Sequence, residues 1–192
     1  DEIELFLSIA TSYPEAYVYC WFHPKTGFWL GASPETLLKI KGRKVRTMAL
    51  AGTQVYKGSS QVEWDTKNHE EQKIVTEFLK NELSQHLTEL EVSAPKTIKA
   101  GKLLHLQTTL IGKLKATSES LKNLIFSIHP TPAVCGTPKS LAMDFIGNNE
   151  TINRAYYSGF LGEINIPNEN HIPFTNLVVN LRCMHFENNF AT

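Results

Sequence analysis

Apolar and polar positions change period several times along the chain, and each change marks an element. Residues 2–10 follow a helical period. Residues 16–22 and 28–32 are rich in β-branched and aromatic side chains, with Pro24 to Gly27 between them, and predict a hairpin. Residues 37–40 and 45–50 flank Lys41-Gly42-Arg43 and predict a second hairpin, so the first fifty residues read as an antiparallel meander. From Val62 to about Leu87 the period is helical, with Ile74, Val75, Phe78, Leu79 and Leu83 as the apolar stripe. Residues 97–114 read as one or two strands broken near Gly101. Thr117-Ser118-Glu119-Ser120 supplies hydroxyl caps for a helix that buries Leu121, Leu124 and Ile125. Thr137-Pro138 reads as a cap followed by a first-turn proline, opening a helix that runs to Ile146 and stops at Gly147-Asn148-Asn149. Residues 156–166 and 174–185 predict two strands, and another begins from Asn189. The sum is a single α+β domain over residues 1–192, antiparallel sheets with packed helices.

At 192 residues and 42% hydrophobic, the chain is long enough for one substantial core. Nineteen basic residues balance nineteen acidic ones, which gives no support for a nucleic-acid partner or an anionic membrane surface. No apolar run approaches the roughly 18 residues of a membrane span, and the acidic, helix-like start is unlike a signal peptide. Cys20, Cys135 and Cys183 are odd in number, widely spaced and without a CxxC pair, so neither a disulfide framework nor a zinc knuckle is expected. Three reduced thiols fit a cytoplasmic protein. The chain opens inside a helical pattern without Met and closes as a strand begins, and is expected to be a fragment of a longer protein.

The most constrained stretch is His129-Pro130-Thr131-Pro132-Ala133-Val134-Cys135-Gly136-Thr137-Pro138. Three prolines fix φ and remove donors, giving a rigid, nearly uncharged loop suited to walling a small-molecule site. Without chemistry it is a Pro-rich turn, and Cys135 within it is either a nucleophile or a small buried filler. Glu35 follows the tight corner Gly31-Ala32-Ser33-Pro34 at a strand end, as a site carboxylate or a solvated turn residue. At about 100° per residue, Glu71 falls within about 60° of Ile74, Val75, Phe78 and Glu82, while Glu70 points away. A carboxylate on an apolar face needs a partner: a divalent cation such as magnesium, or Lys67 one turn back. His105 lies in an apolar strand run, as a site group or a hydrogen-bonded core histidine. Arg182 ends an apolar strand; pointing inward it grips a carboxylate or phosphate in bidentate fashion, pointing outward it is a surface charge. Asn180, two residues earlier, shares its face. Tyr157 and Gly159, near Arg154, are placed to shape the same cavity.

Seven strings occur in a fixed order: Gly31 to Glu35, Ala49-Leu50-Ala51-Gly52-Thr53, Lys67-Asn68-His69-Glu70-Glu71, Leu104-His105-Leu106, His129 to Pro138, Arg154 with Tyr157 and Gly159, and Leu181-Arg182-Cys183. In this the chain resembles the chorismate-utilising enzymes over essentially all 192 residues. The form of the Pro-rich loop resembles isochorismate synthases rather than anthranilate- or salicylate-type members. The alternatives are one of those relatives, or a non-catalytic domain that keeps the fold.

The resemblance implies the chorismate-binding fold and magnesium-dependent conversion of chorismate to isochorismate, with water adding at C2 as the C4 hydroxyl leaves, in a pathway to menaquinone or a siderophore. It implies Glu35 as general acid and Glu71 as a magnesium ligand. Gly52, Thr53, His105, Ala133, Val134, Tyr157, Gly159 and Arg182 are implied to contact substrate. It also implies that the water-activating lysine, a second magnesium glutamate and a glycine-rich carboxylate-binding turn lie outside these residues. Some relatives have an acidic residue where this chain has Asn68. An incomplete sheet leaves strand edges through which a dimer can form. The expected outcome for residues 1–192 alone is turnover of chorismate near background. An isochorismatase-coupled assay checks this, and robust magnesium-dependent turnover contradicts it.

Overall fold

The computed structural model describes residues 1–116, 121–167, 169–187 and 190–192. The expected hydroxyl cap at 117–120 and Asn189 lie outside the described residues. After α1 (Glu2–Ser12) come β1 (Tyr17–His23), β2 (Gly27–Ser33), β3 (Thr36–Lys41) and β4 (Lys44–Val55). Both expected hairpins form, and Gly42, with φ +58, opens the two-residue turn joining β3 to β4. They do not form one meander. β1 and β2 belong to a four-stranded sheet ordered β1-β2-β10-β11, with β10 (Cys183–Glu187) and β11 (Phe190–Ala191). β3 and β4 belong to a seven-stranded sheet ordered β5-β7-β4-β3-β9-β8. Its other strands are β5 (Leu87–Val92), β7 (Leu103–Leu114), β8 (Phe160–Pro167), β9 (Pro173–Val179) and β6 (Lys96–Ala100), which pairs with β7. The meander breaks at Pro34, which has no N–H to give a ladder; there the chain leaves one sheet for the other.

The strand expected over 174–185 is likewise two strands in two sheets, β9 and β10, parted by Asn180, Leu181 and Arg182. The two crossings run side by side. Ala32 N–H donates to the Arg182 carbonyl at 2.8 Å, and Val179 N–H donates to the Glu35 carbonyl at 3.0 Å. Asn180 is 2% exposed and fully engaged. Its Oδ1 accepts from the Tyr19 hydroxyl and its Nδ2 donates to the Tyr156 carbonyl at 2.8 Å. Its backbone N–H donates to Gly159 O at 2.8 Å, and its carbonyl accepts from Ser158 N–H at 2.8 Å. Those last bonds also explain why β8 starts at Phe160 rather than 156: residues 154–159 are turns, with Ala155 and Ser158 at positive φ.

Helices cover the seven-stranded sheet. α2 (Thr66–His86) starts four residues later than the period suggests, because Asp65 caps it by accepting from Asn68 N–H at 2.8 Å. Val75, Leu79 and Leu83, spaced by four, are buried against Leu37, Ile40, Val45, Ala49, Leu110 and Leu177. Leu124, Ile125 and Ile128 of α3 (Leu121–Ile128) join that core. Gln72 is buried in α2, donating to Ala49 O at 3.1 Å and Thr108 Oγ1 at 3.0 Å, which ties the helix to β4 and β7. The Pro-rich loop contains a single turn, α4 (Pro132–Cys135), with Pro132 at its first position. The Thr137-Pro138 cap is not formed: Pro138 itself precedes α5 (Lys139–Asn149), no side chain caps it, and the helix runs past Gly147 to Asn149.

Replacing Asn180 with Ala removes the acceptor of the buried Tyr19 hydroxyl and one of the two donors to the Tyr156 carbonyl, which keeps Gly159 N–H. The expected loss is about 1–3 kcal/mol, read as a lower urea midpoint, and part of it is recovered when Tyr19→Phe is added. An N180A protein with an unchanged midpoint contradicts the crossing's role.

Candidate active site

The gap beside the two crossings is a cavity of about 530 Å³. Pro34 and Glu35 enter from the first crossing, and Leu181 and Arg182 from the second. Leu50 to Thr53 come from β4, His105 from β7, Glu71, Ile74 and Val75 from α2, and Pro132, Ala133, Gly136 and Thr137 from the Pro-rich loop. Ile74 is 45% exposed because it lines this cavity rather than the core, and Phe78 is half-buried at the core's edge. A larger cavity of about 710 Å³ lies on the other side of Pro34 and Arg182, lined by residues 12–16, β2 and β6. Glu35, Glu71 and His105 do not line it.

Glu35 is 6% exposed, and among the described residues its carboxyl has no hydrogen-bonding or charged partner. Burial alone pushes its pKa up to about 7. It therefore holds a proton near neutrality in a cavity open to a small ligand. His105 is 8% exposed. Its Nδ1 lies 3.1 Å from the Gly52 carbonyl and 3.2 Å from Thr53 Oγ1, while Nε2 is buried without a partner among the described residues. Burial lowers its pKa, the Gly52 carbonyl opposes that, and the charge of Arg182 lowers it further. Arg182 is exposed to the cavity and has no ion pair among the described residues, leaving its planar fork free for an anion.

Glu71 lines the cavity and forms the expected pair with Lys67, 3.6 Å from its Nζ, with the glutamate side chain 47% and the lysine 81% exposed. Such an exposed pair is weak, so the carboxylate is exchangeable. Among the described residues no group of three or more His, Cys, Asp or Glu side chains is placed to hold a metal ion. Magnesium needs only one or two protein carboxylates and takes other oxygens from water and ligand. Glu71 fits one arm of such a site.

Of the ten residues singled out in the sequence, Glu35, Gly52, Thr53, Glu71, His105, Ala133 and Arg182 line this one cavity. Three do not. Val134 points from α4 onto the core that α2 and α3 share. Tyr157 lies outward in the 154–159 turns, with the Arg154 guanidinium 6.0 Å from its ring. Gly159 is tied by its carbonyl to Asn180 N–H. Nor does Asn180 share a face with Arg182, because residues 180–182 are not strand and Asn180 turns inward to Tyr19. Cys135 is buried, its thiol 3.3 Å from Thr131 O and its pKa raised by burial, as a filler would be. All three cysteines are free. Among the described residues no helix is long and apolar enough to cross a membrane.

The family model described as "Chorismate binding enzyme" matches residues 2–192. The chain belongs to the chorismate-binding enzymes. Its relatives include the salicylate biosynthesis isochorismate synthase of Pseudomonas aeruginosa, 34% identical over 143 residues, which are 70% of this chain and 30% of that protein. Isochorismate synthase MenF of Escherichia coli is 31% identical over 158 residues, 78% of this chain and 36% of that protein. The crystal structure of the menaquinone-specific isochorismate synthase MenF from Escherichia coli superposes with a TM-score of 0.81 at 24% identity, covering 96% of this chain and 44% of that one. Anthranilate synthase component I from Streptococcus pneumoniae gives a TM-score of 0.81 at 20% identity, covering 100% and 43%. These two likenesses show the shared chorismate-binding fold. The chain spans about a third of the length of the curated relatives it matches.

The buried carboxyl gives this chorismate-binding chain a pH signature. Glu35 binds its proton more tightly folded, with a pKa of about 7, than unfolded, near 4.5. Stability therefore falls as pH rises between those values, by up to about 3 kcal/mol in all. Glu35→Gln is expected to be more stable than the parent at pH 8, and the advantage disappears by pH 4. Urea denaturation across that range checks it; a constant difference at every pH contradicts it.

Proposed function

We propose that this chain forms the acid side of an isochorismate synthase site, in which chorismate is converted to isochorismate. The observation that carries the reading is Glu35: a buried, unpartnered carboxyl, its pKa lifted by burial to about 7, in a cavity that also presents Arg182, His105 and Glu71. Hydroxide is a poor leaving group, so loss of the C4 hydroxyl needs a proton donor in place. Glu35 gives its proton to that oxygen, which departs as water while another water adds at C2. One water enters and one leaves: the proton shed by the attacking water passes to a general base, for which the resemblance implies a lysine outside these residues, and the substrate keeps its two carboxylates, one on the ring and one on the side chain. Arg182 holds one of them by its fork, and the Gly52–Thr53 backbone and Ala133 line the ring's surroundings. Glu71 contributes one ligand to magnesium, which when bound supplies positive charge for a substrate carboxylate. The product feeds a route to menaquinone or a siderophore, a reading supported by relatives named for menaquinone and salicylate synthesis. Free thiols suit a reducing cytoplasm.

The test is an isochorismatase-coupled assay, with product analysis, on the protein that contains this chain. Isochorismate should form only with magnesium. Glu35→Gln should lower kcat by about 10²–10⁴-fold with little change in KM. Anthranilate or salicylate as product, or a Glu35→Gln protein at full rate, overturns the reading; the latter result is what a non-catalytic domain predicts.

A further inference from the structure

The first turn of α2 reaches the β4 backbone beside the cavity through one side chain. Asn68 Oδ1 accepts from Thr53 N–H at 3.1 Å, and Nδ2 donates to Asp65 Oδ1 at 2.7 Å. A backbone N–H only donates and a carboxylate only accepts, so the amide has one orientation. Gly52 lies directly against it, with φ +71, and a Cβ there would sit 2.9 Å from Asn68 Oδ1. The β4–β7 register shifts between Ala51 and Thr53, so Gly52 falls at a bulge and is left out of the regular pairing. Asn68 holds that bulge from the helix side.

The bulge in turn sets the proton on His105. Nδ1 faces the Gly52 carbonyl at 3.1 Å, and a carbonyl only accepts. The Thr53 hydroxyl, 3.2 Å from the same atom, can take either role, so the carbonyl decides: Nδ1 carries the hydrogen, and in a neutral ring Nε2 is then a bare lone pair. That atom is buried, unpartnered among the described residues, and belongs to a side chain lining the cavity. Burial and the charge of Arg182 both favour the neutral ring.

We infer that Asn68 is a positioning residue, clamping the Gly52–Thr53 bulge so that His105 keeps its proton on Nδ1 and offers Nε2 as an acceptor to a hydroxyl of the ligand. With chorismate as ligand, which rests on the function proposed above, the partner is the ring hydroxyl. A carboxylate oxygen has no proton to give and is refused at this atom. The role differs from that of Glu71 on the same helix: Asn68 touches backbone, not ligand.

Long-range ¹H–¹⁵N spectra of the protein test it, with His105 assigned by its loss in His105→Gln. The expected wild-type result is the Nδ1–H tautomer alone. Asn68→Ala should give mixed tautomers and weaken chorismate binding about fivefold to tenfold, the worth of one hydrogen bond. Exchanging the pair, Asp65→Asn with Asn68→Asp, keeps an acceptor for Thr53 N–H without setting two carboxylates against each other, and should restore the single tautomer, which a general loss of stability would not do. A proton on Nε2 in the wild type, or an Asn68→Ala spectrum identical to wild type, overturns the inference. If the tautomer behaves as expected but chorismate leaves the Nε2 resonance unmoved, the positioning role stands and the assignment of the ligand fails.

Discussion

Everything at the site depends on two strand crossings that share one gap. Residues 34–35 carry the chain out of the four-stranded sheet, and residues 180–182 carry it back. Backbone bonds from Ala32 to Arg182 and from Val179 to Glu35 stitch the crossings together, and the Ser33 hydroxyl adds a bond to the Val179 carbonyl. Where two sheets part, side chains have neither a ladder nor a core to fill. Glu35 and Arg182, separated by nearly the whole chain, become neighbours of one cavity for that reason.

The cavity divides its titratable groups by burial. Desolvation lifts Glu35 and lowers His105, and both shifts favour the uncharged form. An acid that keeps its proton and an imidazole that lacks a second one sit within the walls. The charged groups Glu71, Lys67 and Arg182 stay in contact with solvent. The wall formed by the Pro-rich loop is held from behind. Lys139 Nζ donates to Phe126 O at 2.9 Å, Ser127 O at 3.2 Å and His129 O at 2.7 Å, tying the end of α3 to the loop that carries Ala133. Lysine near helix C-terminal carbonyls is a favourable arrangement, and it fixes the loop without placing a charge in the cavity.

Local elements were legible where one period ran without interruption. The two hairpins, the Val75–Leu79–Leu83 stripe and the β6–β7 turn at Gly101 follow from alternation, four-residue spacing and turn chemistry. The readings that failed share a cause. The apolar run from Phe174 to His185 has the composition of one strand, yet Asn180 is drawn to Tyr19 and Tyr156, contacts far away in the chain. Thr137-Pro138 has the composition of a helix opening, yet Thr131-Pro132 takes the positions before and at the start of a helical turn, without a side-chain cap bond. Val134 and Ala133 are adjacent, and only the path of α4 sends one to the core and the other to the cavity. Asn68 carried a faint signal, standing where some relatives have an acid, but its bond to Thr53 joins a helix to a strand and no spacing rule reports it.

The amino-acid sequence by itself determined most of the local elements, the α+β class and the family, because hydrophobic period, turn residues and ordered motifs act over short stretches. It also determined which chemistry was available: one acid beside Pro34, one carboxylate on the α2 face, one guanidinium at a strand end. Only the tertiary structure decided which of these share a cavity and in what charge state. Sheet assignment and burial are set by contacts between distant segments, and a carboxyl has a pKa of about 7 only once other parts of the chain have taken its water away.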